Sequence, residues 1–179
     1  MATAQIRTLD AGIAADIAPF LATEGFTYDR RHRTFRKEAR ECTQLINFQV
    51  GTRSMEGLFA VNLGIYHPKY REDPDSVSPK VPEECHCLIR ERLSVLRDTM
   101  LTSIFRSRLT RIETSLKWWL TTATDLWWTF SENSSETQRS LTAVLDLLRR
   151  KGLTWLDKNC GVEMLRELHE EQSQRVRKI

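Results

Sequence analysis

The sequence predicts an α+β domain in which an antiparallel β-sheet of four to six strands carries helices mainly on one face. Two patterns support this fold class. Apolar residues recur at helical spacing near the start of the 179-residue chain and again in its last third, whereas between residues 26 and 66 they alternate with a period of two. Because the apolar face of each element must be buried against another, the helices are expected to cover the sheet.

The first element is predicted to be a helix from Asp10 to Glu24. Its apolar residues at helical spacing are Ile13, Ile17, Phe20 and Leu21. We expect Asp10 to cap the start of this helix and Gly25 to end it. Pro19 lies inside the pattern and has no N–H to donate, so it is expected to bend or divide the helix.

Three strands are predicted next. Residues 33–38 and 43–51 alternate, and residues 58–66 alternate after the turn TRSMEG. This turn has the length and composition of a hairpin, so the second and third strands are expected to pair antiparallel and to turn their aliphatic residues toward the helices. The opposite face then carries the polar residues of these two strands, which are Asn47, Gln49, Asn62 and Tyr66.

A long loop is predicted over residues 67–84, which contain four of the five prolines of the chain. The following CHCLIRERL is expected to be extended again. Alternation would place Cys85 and Cys87 on one face, with His86, Arg90 and Arg92 on the other.

The rest of the chain is predicted to be mainly helical. Residues 97–120 form a basic amphipathic pattern that we interpret as an inserted helix, and TDLWWTF indicates one further strand. A helix capped by Ser134 or Ser135 should end at Gly152, and a charged helix should follow at about 161–178. Residues 1–179 are interpreted as a single domain.

The composition, 40% hydrophobic and 28% charged, is that of a soluble globular protein. No apolar run reaches the roughly 20 residues that cross a bilayer, and the start MATAQIRTLD lacks the basic and apolar stretches of a signal peptide. We therefore expect a cytoplasmic protein. Its four cysteines are too few for a disulfide framework, so reduced thiols are expected.

Four motifs give the chain a family resemblance: INFQ, FAVNLGIYHP, ECHCLIRERL and DLWWTF. Together with the order of the elements, they resemble the bacterial family known as domain of unknown function 4304, over roughly residues 10–157. The resemblance implies a small protein with an antiparallel sheet and flanking helices. It carries no established activity, although similar small proteins often lie beside toxin genes, which favours a toxin-neutralising role.

Six polar residues are predicted to form a binding surface on one sheet face, namely Asn47, Gln49, Asn62, Tyr66, His86 and Arg90. Amides, a phenol, an imidazole and a guanidinium supply both donors and acceptors to a ligand or partner protein. A solvated sheet face, or a face whose polar groups bind the loop 67–84, would have the same composition. No metal is expected, because Cys85 and Cys87 would face away from His86, and no cofactor is expected either.

The segment RRHRTFRK supplies a second candidate surface, a basic patch of Arg30, Arg31, Arg33, Arg36 and Lys37 around Phe35. Basic residues beside an aromatic ring are typical of single-stranded nucleic-acid sites. An edge strand protected from aggregation by its charges has the same composition.

No phosphate-binding glycine loop, G-x-S-x-G elbow or H-E-x-x-H motif occurs in the sequence. The leading hypothesis is therefore a non-enzymatic binding protein, in particular an immunity protein that neutralises a cognate bacterial toxin by protein–protein binding. The alternatives are a nucleic-acid-binding module that uses the basic patch and an enzyme that uses a cleft around His86, Arg90 and Asn62.

Overall fold

The computed structural model describes residues 3–39, 42–70, 81–97, 127–161, 163, 165 and 166. These residues form a six-stranded antiparallel sheet, which confirms the predicted fold class. The strands are β1 (Thr27–Asp29), β2 (Thr34–Ala39), β3 (Cys42–Val50), β4 (Leu58–Tyr66), β5 (Ile89–Arg92) and β6 (Trp128–Thr129). Their order is β1-β2-β3-β4-β5, and β6 also pairs with β4.

The N-terminal helical segment consists of α1 (Ala4–Gly12), a π-helical turn (Ile13–Ile17) and α2 (Ala18–Thr23). The predicted start at Asp10 was wrong, because Thr3 already caps the first turn by accepting a hydrogen bond from the Ile6 N–H. The expected irregularity near Pro19 is present, since this proline is the second residue of α2 and the π-helical turn ends two residues before it. Gly25 ends the segment with a φ of 86°, a conformation that glycine adopts readily.

The central hairpin of β3 and β4 has the predicted antiparallel pairing. Asn47 lies opposite Asn62, and Phe48 lies opposite Val61. On one face, this hairpin and the neighbouring strand β2 contribute apolar side chains to the core under the helices. The fully buried side chains on this face include Phe35, Ile46, Phe59, Val61, Leu63 and Ile65. Burial of each such side chain contributes about 1.5–3 kcal/mol, so this face fixes the sheet against the helices.

The C-terminal helical segment consists of α3 (Ser134–Leu147), a π-helical turn (Leu148–Gly152) and α4 (Leu153–Asn159). Asn133, and not Ser134 or Ser135, caps its start. The predicted end at Gly152 was also wrong. Gly152 lies within the helical segment, where a side chain would approach Leu148 Cδ2 to 2.9 Å and Leu93 Cδ1 to 3.1 Å, so this glycine permits close packing.

Two predicted helices fall largely outside the described residues. Of the basic helix at 97–120 only Arg97 is described, and of the helix at 161–178 only residues 161, 163, 165 and 166 are described. No helix in the described part of the chain is long and apolar enough to span a membrane.

A disulfide joins Cys42, the first residue of β3, to Cys160, which follows α4, with a Cα–Cα distance of 5.9 Å. The expectation of reduced thiols was therefore wrong for these two cysteines, although Cys85 and Cys87 are free. Packing of α4 against the sheet brings together two residues that are 118 positions apart. At the same junction, Gln44 Nε2 donates a hydrogen bond to Asp157 Oδ1 at 2.9 Å.

Candidate functional site

A row of polar residues crosses the sheet on the face opposite the helices. The pairing of neighbouring strands aligns one residue from each of five strands, which we call the polar row: Asp29, Thr34, Asn47, Asn62 and Arg92. Strand alternation turns all five residues toward the same side, because the aliphatic residues of β3 and β4 occupy the other. The polar strand face that the sequence predicts is thus part of a feature that crosses five of the six strands.

Hydrogen bonds hold the amide side chains of this face in place. Asn47 Nδ2 donates to Thr34 Oγ1 at 2.9 Å and to the His32 carbonyl oxygen at 3.1 Å. Asn62 Nδ2 donates to Gln49 Oε1 at 3.1 Å. Asn62 is only 6% exposed, so it is a buried polar residue in a strand position that an apolar residue would otherwise occupy.

Residues 81–87, the covering segment, lie across the part of this face beside the amides. Cys87 is buried against Leu45 and Tyr66 in a small apolar cluster, and the Pro82 carbonyl oxygen accepts a hydrogen bond from Arg36 Nε at 2.8 Å. Gly64 permits the close approach, because a side chain there would come within 2.7 Å of Cys87 Sγ. Residues 81–87 therefore cover the part of the face that Leu45, Tyr66 and Arg36 form.

His86 is placed differently from the other predicted residues. The stretch Glu84–His86 is a 3₁₀ turn, and β5 begins only at Ile89, so the predicted extension through CHC was wrong. His86 Nδ1 accepts a hydrogen bond from the Glu83 N–H at 3.0 Å, as part of a reciprocal cap of this turn. Its ring therefore orders the covering segment.

An open pocket of about 270 Å³ lies at the uncovered end of the face. Its lining, which we call the polar pocket, consists of Gln49, Asn62, Glu84, Arg90, Glu91 and Arg92. Three of the six predicted site residues, Gln49, Asn62 and Arg90, meet here. Asn47 lies next to the pocket in the polar row, and Tyr66 is buried beneath the covering segment.

Arg92 and Trp127 are site residues that the sequence prediction missed. The Arg92 guanidinium carbon lies 4.9 Å from the centre of the Trp127 ring, at a distance that favours a cation–π contact. The adjacent Trp128 is buried in the core, where Arg97 stacks on it in the same way. Because Arg92 is two residues from Arg90 in an extended segment, the sequence already predicted that both lie on the same face. No sequence signal indicated which aromatic ring would stack on the Arg92 guanidinium.

Residues 17–158 match the family described as Domain of unknown function (DUF4304). The chain belongs to this family. The match confirms the resemblance that the motifs of strands β3 to β6 indicated. No curated protein and no solved structure matches the chain.

Most residues of the basic patch of this DUF4304 protein make contacts with other residues of the fold. Arg33 forms a two-point ion pair with Asp10 at 2.5 and 3.0 Å, and Arg36 pairs with Asp29 at 3.1 Å. Lys37 Nζ lies 5.5 Å from the centre of the Phe26 ring, and the patch's own ring, Phe35, is fully buried. The remaining two residues, Arg30 and Arg31, are exposed.

The two free thiols of the DUF4304 chain are poor nucleophiles in this structure. Burial and the charge of Glu84 raise the pKa of Cys87 far above its ordinary value. Burial and the nearby charges of Glu83 and Glu84 also raise the pKa of Cys85. Since the thiolate is the reactive form, the raised pKa values disfavour nucleophilic attack by either cysteine at neutral pH.

Proposed function

We propose that this DUF4304 protein is a non-enzymatic binding protein that recognises a partner protein through the polar row and the polar pocket. We further propose that the partner is a bacterial toxin, which the protein neutralises as an immunity protein by occluding it. The observation that carries the proposal is Asn62, a buried amide at the floor of an open polar pocket.

The arginines of the pocket support partner binding. Arginine is enriched among the residues that dominate protein interfaces. Arg92 is stacked on Trp127, so its side chain loses less conformational freedom on binding than a mobile arginine would. Arg90 is exposed beside it, at the rim of the pocket.

The chemistry of the described residues around the pocket supports binding over catalysis. The raised pKa values of Cys85 and Cys87 disfavour nucleophilic thiolates, and His86 is engaged in capping a turn. A catalytic base must reach the group whose proton it takes, and His86 is not among the residues that line the pocket.

The proposal is tested by affinity capture of the tagged protein from its native lysate, followed by mass spectrometry. Two double variants are compared with the wild type: Arg90→Glu with Arg92→Glu at the pocket, and Arg30→Glu with Arg31→Glu as a charge-matched control. We expect one stoichiometric protein to survive a high-salt wash with the wild type and the control, and to be lost with the pocket variant. Circular dichroism verifies that both variants fold.

The immunity role is tested on the captured protein itself. We expect its expression alone to stop bacterial growth and co-expression with the wild-type chain to restore growth. Salt-labile nucleic acid that the wild type retains and the Arg30 and Arg31 variant loses would instead support the nucleic-acid alternative. Catalytic turnover that a His86→Ala change abolishes would support the enzyme alternative.

A further inference from the structure

We propose that the disulfide between Cys42 and Cys160 is a reversible redox switch, which holds α4 on the sheet when oxidised and lets α4 open when a dithiol reduces it. This goes beyond partner recognition, because it assigns a regulatory role to the helix-facing side of the sheet. The inference rests on the exposure of the two cysteines, on a hydrogen-bond acceptor beside Cys160, and on the helix that the bond holds.

The two cysteines differ in exposure. Cys42 is only 3% exposed, whereas Cys160 is half-buried at the end of α4. Thiol–disulfide exchange begins when a thiolate attacks an accessible sulfur, and exposed disulfides are more labile than buried ones. Attack at Cys160 Sγ is therefore favoured, and the buried Cys42 sulfur is the leaving group.

Reduction by a dithiol proceeds through a mixed disulfide. One thiolate of the dithiol forms a bond to Cys160 Sγ as the bond to Cys42 Sγ breaks, and the Cys42 thiolate takes a proton from water. The second thiolate of the dithiol then attacks its own mixed sulfur, so that Cys160 leaves as a thiolate and is protonated. Two electrons pass from the dithiol to the protein, and the dithiol becomes a disulfide.

A carbonyl group beside Cys160 favours the reduced form. Cys160 Sγ lies 3.3 Å from the Ala39 carbonyl oxygen. A thiol has an S–H donor that a disulfide sulfur lacks, so this contact becomes a hydrogen bond only after reduction. Stabilisation of the reduced form makes a disulfide easier to reduce. Because S–H is a weak donor, the hydrogen bond does not replace the covalent link to β3.

The helix that the disulfide holds is short and is set apart from α3. It has seven residues, fewer than an independently stable helix needs, and the π-helical turn Leu148–Gly152 precedes it. Its other contacts with the sheet and the core include the buried Leu156 and the hydrogen bond from Gln44 to Asp157. Loss of the cross-link at its end therefore favours local opening of α4 while the sheet stays folded.

The first test follows the redox state of the full chain in mixtures of reduced and oxidised dithiothreitol, by acid quenching and alkylation of the free thiols in denaturant. We expect two alkylated cysteines in the oxidised form and four in the reduced form, with reversible conversion and the circular dichroism of a folded protein. Cys85→Ser removes the exposed free thiol and should titrate at the same dithiothreitol ratio, because this thiol takes no part.

The second test measures hydrogen exchange by mass spectrometry during the first minutes of labelling. We expect the amides of α4 to exchange about tenfold faster in the reduced form, while those of β4, in the middle of the sheet, stay protected in both forms. The variant with Cys42→Ser and Cys160→Ser should exchange like the reduced wild type and should not respond to dithiothreitol.

Three results would overturn the proposal: four free thiols in oxidised dithiothreitol, a disulfide that is reduced only when denaturant unfolds the chain, or equal exchange of α4 in the two forms. Loss of protection in β4 together with α4 would also overturn it, because reduction would then destabilise the whole domain. Capture of a partner protein is measured separately, so the two proposals fail independently.

Discussion

The two faces of β4 are buried almost equally, but by different means. Eight of the nine residues of this strand are buried. On the helix-facing side, Phe59, Val61, Leu63 and Ile65 are covered by the main apolar core. On the other side, the covering segment buries one end, at Tyr66, and leaves Asn62 at the floor of a polar pocket. The helix-facing residues of β4 thus stabilise the fold, whereas Asn62 on the other face borders a pocket.

The largest effect on stability is expected on the helix-facing side, at Phe59. Its ring centre lies 5.8 Å from that of Trp128 and 6.1 Å from those of Phe48 and Phe130. We expect Phe59→Ala to lower the free energy of unfolding by about 3–5 kcal/mol, because it leaves a cavity among these rings. Urea denaturation measures the loss. An effect below about 1 kcal/mol would show that the core does not depend on this ring.

The second effect concerns the disulfide at the edge of the same side. Replacing Cys42 and Cys160 together by serine is expected to lower the free energy of unfolding by about 2–4 kcal/mol, because a cross-link over 118 residues restricts the unfolded chain. Cys85→Ser, at an exposed free thiol, is the control and is expected to change it by less than about 0.5 kcal/mol. Equal unfolding curves for the double variant and the wild type, both in oxidising buffer, would contradict this prediction.

A smaller effect is expected under the covering segment. Gly64→Ala places a methyl group 2.7 Å from Cys87 Sγ and 3.3 Å from Cys87 Cβ, and should destabilise the fold by about 1–3 kcal/mol. Adding Cys87→Ala removes the sulfur and should recover part of the loss. A double-mutant cycle measures this coupling. Purely additive effects would mean that the segment does not pack on β4 as described.

The smallest effect is expected at the end of the polar row. The hydrogen bond from the His32 ring, aided by the His32 N–H and Arg36, lowers the pKa of Asp29 from its ordinary 3.8 to about 2. Because the charged carboxylate is favoured in the fold, Asp29 contributes stability above about pH 4, and this contribution is lost as the pH falls toward 2.

Asp29→Asn should remove that part of the pH dependence and cost less than about 1 kcal/mol at neutral pH, where this partly exposed ion pair is screened by solvent. Unfolding curves recorded across the acidic range measure the difference. A variant that loses stability between pH 4 and 2 as steeply as the wild type would show that another group is responsible.

The fold was largely predictable because local patterns specify it. Period-two alternation and the hairpin-length turn determine β3 and β4, and their register follows from their apolar faces. Helix boundaries were less predictable. Thr3 and Asp10 are both residue types that cap the start of a helix, so the sequence alone does not decide between them. Gly152 permits close packing inside the helical segment, whereas a glycine more often ends a helix.

The site was predictable only in part, because tertiary packing completes it. Alternation placed Gln49, Asn62 and Arg90 on one face, but the stacking of Trp127 on Arg92 joins segments that are 35 residues apart in the chain. The pairing of Cys42 with Cys160 depends on contact between β3 and the end of α4. His86 was assigned to a strand because CHC alternates, whereas the capping bonds of Glu83 and His86 form a turn.

We propose that Asn62 is polar for binding and not for stability. The most direct test measures the unfolding free energy and the capture of the partner for one variant, Asn62→Leu. We expect the free energy of unfolding to stay within about 1 kcal/mol of the wild type, since the exposed Gln49 can turn to water, and we expect partner capture to be lost. A loss of stability above about 2 kcal/mol with capture intact would instead show that Asn62 is a structural residue.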